Sequence, residues 1–592
     1  MCKRFKIVFF SLIYILVSIY LLIPPIVLRN KFIEMSMSNN YNVHFKKIII
    51  MYKHPFENFK LIITHGYILK EFIITFFIIT VLICILYFGF RSRDTAGGIT
   101  YLRDNGTQGT ANWMNKKKMK KVLNIGNEKG IVFGTIENKM VTLPSNTFLN
   151  KNIAVFGASG SMKSRSFVRP NIMQLSETNE SMIITDPKAE IFESMSEYLR
   201  DKGYTVKVLN LVNMINSDRW NPLNEVEDDI SAQYFVETVM INTKAPGAKQ
   251  DEFWDKAEMN LLKALVLYVV KENPEDERNL SSVYSLLALN STVALDTLFS
   301  NLSQESEAKM PYNIYSQASD KVKTGVVIGL GSKLQIFQNK LVCNLTKTSD
   351  IDLILPKKEK CAYFCITSDM SSTFDFIAGL FFSFLFIKLV KYADYAPKEH
   401  QKDVYFILDE FPNIGAIPDF TKKISTMRSR GISSFIIFQN IAQLQNRYPN
   451  NGWSEIIGNC DSRLFLGATD IITSEFVSKL LGTTTVKDTK LSKAEGFEGI
   501  IDLGHTTSSS LKRNLMNPDE VLRLSNKNEI LILRGQEPIL LNKMDYTKHK
   551  FSKLIKHINI SDYLPNWTTE YYKEKKDNLK DKKKDAQKSD FW

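Results

Sequence analysis

The chain predicts an α/β fold: a parallel sheet carrying a phosphate-binding loop, an inserted all-helical segment, and two membrane helices at the N-terminus. Three observations carry this prediction. From residue 152 onward, short apolar runs alternate with amphipathic stretches, the rhythm of a mostly parallel sheet. One of these runs opens into Gly157-Ala158-Ser159-Gly160-Ser161-Met162-Lys163-Ser164, a small-residue loop closed by a lysine and a serine. Two long uncharged runs precede it, at about residues 7–28 and 72–90.

The N-terminal region, residues 1–95, holds those two runs. The first has Lys3, Arg4 and Lys6 before it and Arg29 after it, and the second closes on Arg91 and Arg93. The nineteen residues of the second run, at 1.5 Å each, extend about 28 Å, close to the ~30 Å hydrocarbon core. Soluble core helices are rarely apolar all round for so long. A cleaved signal peptide is the competing reading of the first run. It is disfavoured by the run's length and by the lack of a small-residue cleavage site after it. Pro24-Pro25 predicts a kink or an end to that helix. The basic N-terminus favours a cytosolic start, although Lys46, Lys47, Lys53 and Lys60 between the runs weaken the contrast. A phosphate loop works on ATP and Mg²⁺, which puts the chain after residue 91 in the cytoplasm and makes this a multi-pass protein of the cell membrane.

Residues 96–224 read as the first part of a nucleotide-binding domain. Gly97-Gly98 and the basic stretch Lys116–Lys121 suit a stem and sheet edge. Ile153–Phe156 suits a buried strand, and Gly157–Ser161 supply backbone N–H groups that turn inward around phosphate oxygens. Lys163 reaches the outer phosphates and the Ser164 hydroxyl holds Mg²⁺. Met162 departs from the pattern, which has glycine before the lysine. After the next apolar run comes Asp186-Pro187-Lys188-Ala189-Glu190. Asp186 reads as a helix N-cap with proline at the first helical position, or as a ligand contact at a strand end beside the loop. The two roles are compatible.

The alternation stops between residues 225 and 345, where apolar residues at helical spacing, as over Asp251–Val270, predict an all-alpha insertion. It resumes over 346–565. The strand-like runs are 152–156, 182–185, 205–209, 361–366, 403–408, 434–438 and 463–467. The run at 403–408 ends in Asp409-Glu410. Alone, two acids at a strand end merely begin a loop. Downstream of a phosphate loop they predict Asp409 on Mg²⁺ through its water shell and Glu410 orienting or deprotonating the attacking water. Arg428 and Arg430 precede the run at 434–438 and read as a solvated pair or as a finger toward a neighbouring subunit's γ-phosphate. Gln439 ends that run, either capping it or sensing the γ-phosphate. Residues 566–592 form a Lys/Asp/Glu-rich tail with the composition of disorder.

The net charge of +13 suits nucleic acid or an anionic membrane surface, although a lysine-rich proteome produces the same balance. Six cysteines are scattered without CxxC spacing, Cys361 and Cys365 sharing one apolar run, and buried free thiols are expected. The seven histidines form no metal-ligand pattern.

In order along the chain, Gly157–Ser164, Thr185–Glu190, Trp220–Leu223, Phe253–Ala257, Leu408–Gly415, residues 417–440, Ile457–Asp461 and Leu515–Val521 resemble the type IV coupling proteins. These are the membrane-anchored ATPases of conjugation and type IV secretion, and the likeness covers roughly residues 100–540. It implies a RecA-like P-loop NTPase domain with an inserted all-alpha domain, assembled as a homo-hexamer around a channel. It also implies a DNA-stimulated ATPase that receives single-stranded DNA with its bound relaxase and passes it to type IV secretion channel proteins. Carried over, Lys163, Ser164, Asp409 and Glu410 keep the nucleotide roles given above. Arg428 sits where the family pattern Arg-x-x-Gly places its finger, with Arg430 as the fallback, and Gln439 matches the strand-end glutamine. The form with Met162 resembles a branch typical of Gram-positive conjugative elements. Three other functions compete: a substrate-docking receptor with weak ATPase activity, a type IV ATPase exporting proteins only, and a DNA pump for chromosome partition. The helical insertion and the Asp-Pro-Lys-Ala-Glu motif argue against the last, and the insertion is the candidate for cargo recognition.

Overall fold

The computed structural model describes residues 14, 16–27, 29, 50–91, 107–126, 129–244, 252–289, 292–368, 370–492 and 505–573. They fall in two compact units, residues 1–100 and 101–592.

In the first unit, residues 16–27 are helical, and helices Pro55–Thr64 and Gly66–Arg91 follow. The first predicted span is helical over 16–27, and its residues 7–13, 15 and 28 lie outside the described residues. The second lies wholly within Gly66–Arg91, which begins six residues earlier and so includes Lys70 and Glu71. Ile23 and Ile26 pack against Ile68 and Phe72, and the Tyr14 hydroxyl lies 3.1 Å from Thr80 Oγ1. The outer face carries exposed Ile73, Ile74, Phe77, Ile78 and Leu82.

The second unit is built on one large sheet. Its strands are β1 (Asn124–Ile125), β2 (Ile131–Ile136), β3 (Lys139–Leu143), β4 (Ile153–Gly157), β5 (Ser181–Thr185), β6 (Thr205–Asn210), β7 (Cys361–Ile366), β8 (Val404–Leu408), β9 (Ile432–Phe438) and β10 (Ser462–Gly467). After the two-stranded hairpin of β11 (Thr483–Ser492) and β12 (His505–Asn514), β13 (Asn528–Leu533) and β14 (Ile539–Asn542) complete it. The twelve-stranded order is β1-β3-β2-β14-β13-β10-β4-β9-β8-β5-β7-β6. The seven strands from β10 to β6 are mutually parallel. They coincide with the seven apolar runs read from the sequence.

The sheet as a whole is mixed, which corrects the expectation of a parallel one. β13 pairs antiparallel with both β10 and β14, and the β1-β3-β2 edge is antiparallel as well. The cause is connection length. β2 and β3 are joined by Glu137-Asn138 alone, both at positive φ (50° and 61°), the tight turn that forces a hairpin. The link between β13 and β14 runs only from Arg534 to Pro538, too short for a parallel crossover.

Helices cover both faces. Arg169–Glu177 and Glu190–Asp201 pack on one side, and Asp375–Tyr395, Ile441–Arg447 and Ile471–Leu481 on the other. Asp375–Tyr395 is apolar and long enough to cross a membrane by composition, yet it is mostly buried. Phe386 stacks on Phe406 of β8 and Phe381 meets Trp220, so this is the crossover helix of a βαβ unit. Between β6 and β7 the described residues contain helices and loops and no strand, and their apolar side chains merge with the core on that face. Cys361, Cys365 and Cys460 are buried free thiols and Cys343 is free and half-buried. Residues 566–573, read from sequence as part of a disordered tail, form a helix. Trp567 is buried and its Nε1 donates to the Ser217 carbonyl at 2.8 Å. Residues 574–592 lie outside the described residues.

Candidate nucleotide site

The C-terminal ends of β4, β5 and β8 meet at one cleft of about 320 Å³, lined by residues 158–164 of the loop together with Asp186, Lys188, Asp409 and Glu410. Gly157 ends β4 where a Cβ would stand 2.6 Å from both Lys163 Cγ and Ser161 Oγ, so only glycine lets the loop fold back over the strand. Gly160 turns at φ +75°. Met162 turns at φ +69°, which explains the usual glycine before the lysine: the position is left-handed, at a cost of roughly 1–2 kcal/mol for any other residue. The first helical turn, Ser164–Val168, is a widened π turn that runs into Arg169–Glu177. Its N-terminal amides and dipole favour an anion in the loop.

Lys163 Nζ donates to the Gly157 carbonyl at 2.9 Å. Ser164 Oγ donates to Asp409 Oδ2 at 3.1 Å, so the hydroxyl and the carboxylate predicted to share a cation are adjacent. Burial raises the Asp409 carboxyl to about 6, against the pull of Lys163 and with help from Glu410. Thr185 Oγ1 fixes the Asp409 carbonyl at 2.6 Å. Glu410 adopts φ +53° and its carboxylate is held from two sides: Oε1 accepts from Gln439 Nε2 at 2.9 Å, Oε2 from Asn413 Nδ2 at 3.1 Å. Gln439 therefore does more than cap β9: it holds the predicted base. Among the described residues no group of three or more His, Cys, Asp or Glu could hold a metal ion. Ser164 Oγ and Asp409 Oδ2 are two adjacent hard oxygens, the donor type that Mg²⁺ takes while it completes its shell with water and phosphate.

Asp186 caps the next helix with its side chain without occupying the N-cap position, which is Ala189. Its Oδ2 accepts from the Ile191 and Phe192 amides at 2.9 and 2.7 Å, capping the helix Glu190–Asp201, and the residue lines the cleft. Burial raises its carboxyl to about 7, opposed by those amide bonds. The helix starts at Glu190, so Pro187 lies in the preceding turn and not at the first helical position.

Arg428 is not in this cleft. It lies on the turn Met427–Arg430 before β9, at the opposite end of the strand from Gln439. It is exposed, with Nη2 donating to the Phe148 carbonyl at 2.7 Å. Arg430 makes a two-point ion pair with Asp394 at 2.7 and 3.0 Å. The sequence did not single out Asn413, nor Lys543 and Asn526, which reach the loop from beyond β12: Lys543 Nζ donates to the Ser161 carbonyl at 2.8 Å and Asn526 Nδ2 to the Gly160 carbonyl at 3.4 Å. Arg165 and Arg169 also line the cleft, just past the loop, and Arg165 is tied to Asp545 at 2.7 Å.

A phosphate loop on a parallel strand, a hydroxyl–carboxylate pair and a held acid beside it define a P-loop nucleotide-binding protein. The chain belongs to the family described as Type IV secretory system Conjugative DNA transfer, whose model matches residues 107–582. It is 26% identical to protein VirD4 of Agrobacterium fabrum over 381 residues, 62% of this chain and 54% of that protein. It is 23% identical to conjugal transfer protein TraG of Escherichia coli over 399 residues, 63% of this chain and 62% of that one. The match thus spans about half the length of the VirD4 relatives. Among solved structures the fold is similar to plasmid coupling protein TrwB in complex with ADP and Mg²⁺. The TM-score is 0.57 at 15% identity, covering 77% of this chain and 96% of that one. TrwB bound to the ATP analogue ADPNP gives a TM-score of 0.55 at 16% identity, covering 74% and 93%.

Proposed function

We propose that this chain is a membrane-anchored ATPase of the kind carried by Gram-positive conjugative elements. It couples relaxase-bound single-stranded DNA to a type IV secretion channel and drives its transfer. The observation that carries the ATPase reading is the 3.1 Å contact between Ser164 and Asp409, with Glu410 beside it and clamped by Gln439 and Asn413. Lys163 and the loop amides bind the phosphates. Ser164 and Asp409 supply hard oxygens for Mg²⁺, which when bound neutralises charge on the phosphate oxygens. Glu410 orients a water for attack and accepts its proton, and the bond from Gln439 keeps its carboxylate at the strand end. Arg428, on an exposed turn away from its own cleft, acts on the neighbouring copy's nucleotide in a homo-hexameric ring. Membrane anchoring is supported by the 26-residue helix Gly66–Arg91 with its exposed apolar face, and by the helical residues 16–27 packed on it. The nucleotide unit then faces the cytoplasm, and the family supplies the DNA and channel partners.

ATP turnover of the full chain in detergent, with and without single-stranded DNA, tests this. Lys163→Ala and Glu410→Gln are expected to lose turnover by about 10²–10⁴, and DNA is expected to raise it. Absence of stimulation together with no loss in either variant overturns the motor reading. DNA binding that weakens steeply with salt separates it from a protein-only exporter. Met162 at φ +69° favours one second reading, a docking receptor with weak ATPase activity. Transfer at full rate by Lys163→Ala would establish that instead.

A further inference from the structure

We propose that Lys543, with Asn526 behind it, replaces the missing glycine: it holds the phosphate loop in the left-handed turn at Met162. This rests on the nucleotide role proposed for the loop. The φ angle of Met162 is set by the two peptide groups that flank it, and both are anchored. On one side the Ser161 carbonyl accepts from Lys543 Nζ at 2.8 Å. On the other the Met162 carbonyl accepts from the Ser166 amide at 2.7 Å and from Ser166 Oγ at 2.8 Å. Ser166 belongs to the loop's own helix: its amide bond comes with any helix that follows such a loop, and its hydroxyl adds a local second donor on the same carbonyl. Lys543 is not part of that helix. It follows β14, 382 positions further along the chain, and brings a charged donor to the carbonyl immediately before the strained residue.

The Lys543 side chain is aimed rather than free. Asn526 Oδ1 accepts from Nζ at 2.8 Å, while Asn526 Nδ2 donates to the Gly160 carbonyl at 3.4 Å. The Lys543 amide in turn donates to the Lys527 carbonyl at 2.9 Å, which fixes β14 beside the Asn526 turn. The two residues thus hold consecutive loop carbonyls, those of Gly160 and Ser161. A glycine at 162 would populate the left-handed region without help, because it lacks the Cβ that penalises it. With methionine there, the loop needs an outside grip to keep its amides turned toward phosphate.

Lys543 is therefore a positioning residue, and its effect depends on what stands at 162. The test is a double-mutant cycle on the full chain in detergent, reading the equilibrium affinity for N-methylanthraniloyl-ADP with Mg²⁺. Lys543→Met is expected to weaken binding about tenfold in the native background and less than about threefold in the Met162→Gly background. Asn526→Leu, on an exposed turn, is expected to follow the same pattern with a smaller loss, which keeps the test open if Lys543→Met folds poorly. Equal losses in both backgrounds overturn the proposal, since they mean that Lys543 acts only through its charge or through general stability. No loss in either background overturns it too. If the native chain and Lys163→Ala both fail to bind the probe, the nucleotide reading falls and this proposal falls with it.

Discussion

Strands β4, β8 and β9 end in two sites of opposite character. At their C-terminal ends stand a loop that binds anions, the buried Asp409, and Glu410 held between Gln439 and Asn413. At their N-terminal ends stands a cationic turn. Lys357, buried, donates to the carbonyls of Lys402, Arg430 and Gly431 at 3.0, 2.5 and 3.2 Å. Lys151 pairs with Asp403 at 3.3 Å nearby. The first end is assembled from bonds within the chain. The second holds an arginine turn in a fixed shape and leaves Arg428 exposed, on one bond to a backbone carbonyl. The arginines at the cleft are committed: Arg165 to Asp545, Arg169 to Ser194 and the Glu190 carbonyl. The comparison teaches that the cleft has its acids and phosphate donors while its own arginines are committed, and this contrast is what the proposed finger from a second copy rests on.

The largest expected effect follows from that division. Arg428→Ala should lower ATP turnover by about 10³–10⁵ while nucleotide affinity of the isolated chain stays within about twofold; Arg430→Ala, whose partner is Asp394, should cost far less. Equal losses in the two variants would break the comparison. Glu410→Gln should lower turnover by about 10²–10⁴ and retain nucleotide, read by steady-state hydrolysis beside a binding titration. Lys357→Met should leave the cleft intact and destabilise the fold by about 2–4 kcal/mol in urea unfolding, because the Lys402 and Arg430 carbonyls lose this donor while Gly431 keeps the Val404 amide. A change below the scatter of the measurement would mean that the turn does not need it.

The smallest effect is a pH slope at the cationic end. Burial, aided by Asp403, raises the Glu180 carboxyl to about 7 from its ordinary 4.5. A raised folded value means that the protonated form is favoured on folding. Its contribution is full below about pH 4.5 and is lost as pH rises through 7. Glu180→Gln should flatten that part of the slope by about 1–3 kcal/mol between roughly pH 5 and 8, measured by urea unfolding at each pH. An unchanged slope would remove Glu180 from the network.

Much of this was legible in the sequence, for a physical reason. The parallel strands β4, β5, β7, β8 and β9 are buried along their whole length and so appear as continuous apolar runs. Lys163, Ser164, Asp186, Asp409, Glu410 and Gln439 follow directly from those runs, and the fold brings them together because parallel strands present their C-terminal ends side by side. The antiparallel edge was hidden because its pairing depends on turns: Glu137-Asn138 is left-handed without the glycine that usually announces such a turn. Asp375–Tyr395 and Gly66–Arg91 are alike in apolar composition, and only packing separates a core helix from one with an exposed apolar face. Lys543, Asn526 and Asn413 act through contacts that no local pattern encodes.

The most direct test of a finger supplied by a second copy mixes two inactive chains. Full-length Glu410→Gln and Arg428→Ala chains are combined in equal amounts in detergent, and ATP turnover is compared with each alone. In a ring, a subunit with intact Glu410 beside one with intact Arg428 restores a working cleft, and random mixing makes roughly a quarter of the interfaces so. Recovery toward that fraction of native turnover is the expected result. A mixture no more active than its two components would contradict a cleft completed by its neighbour.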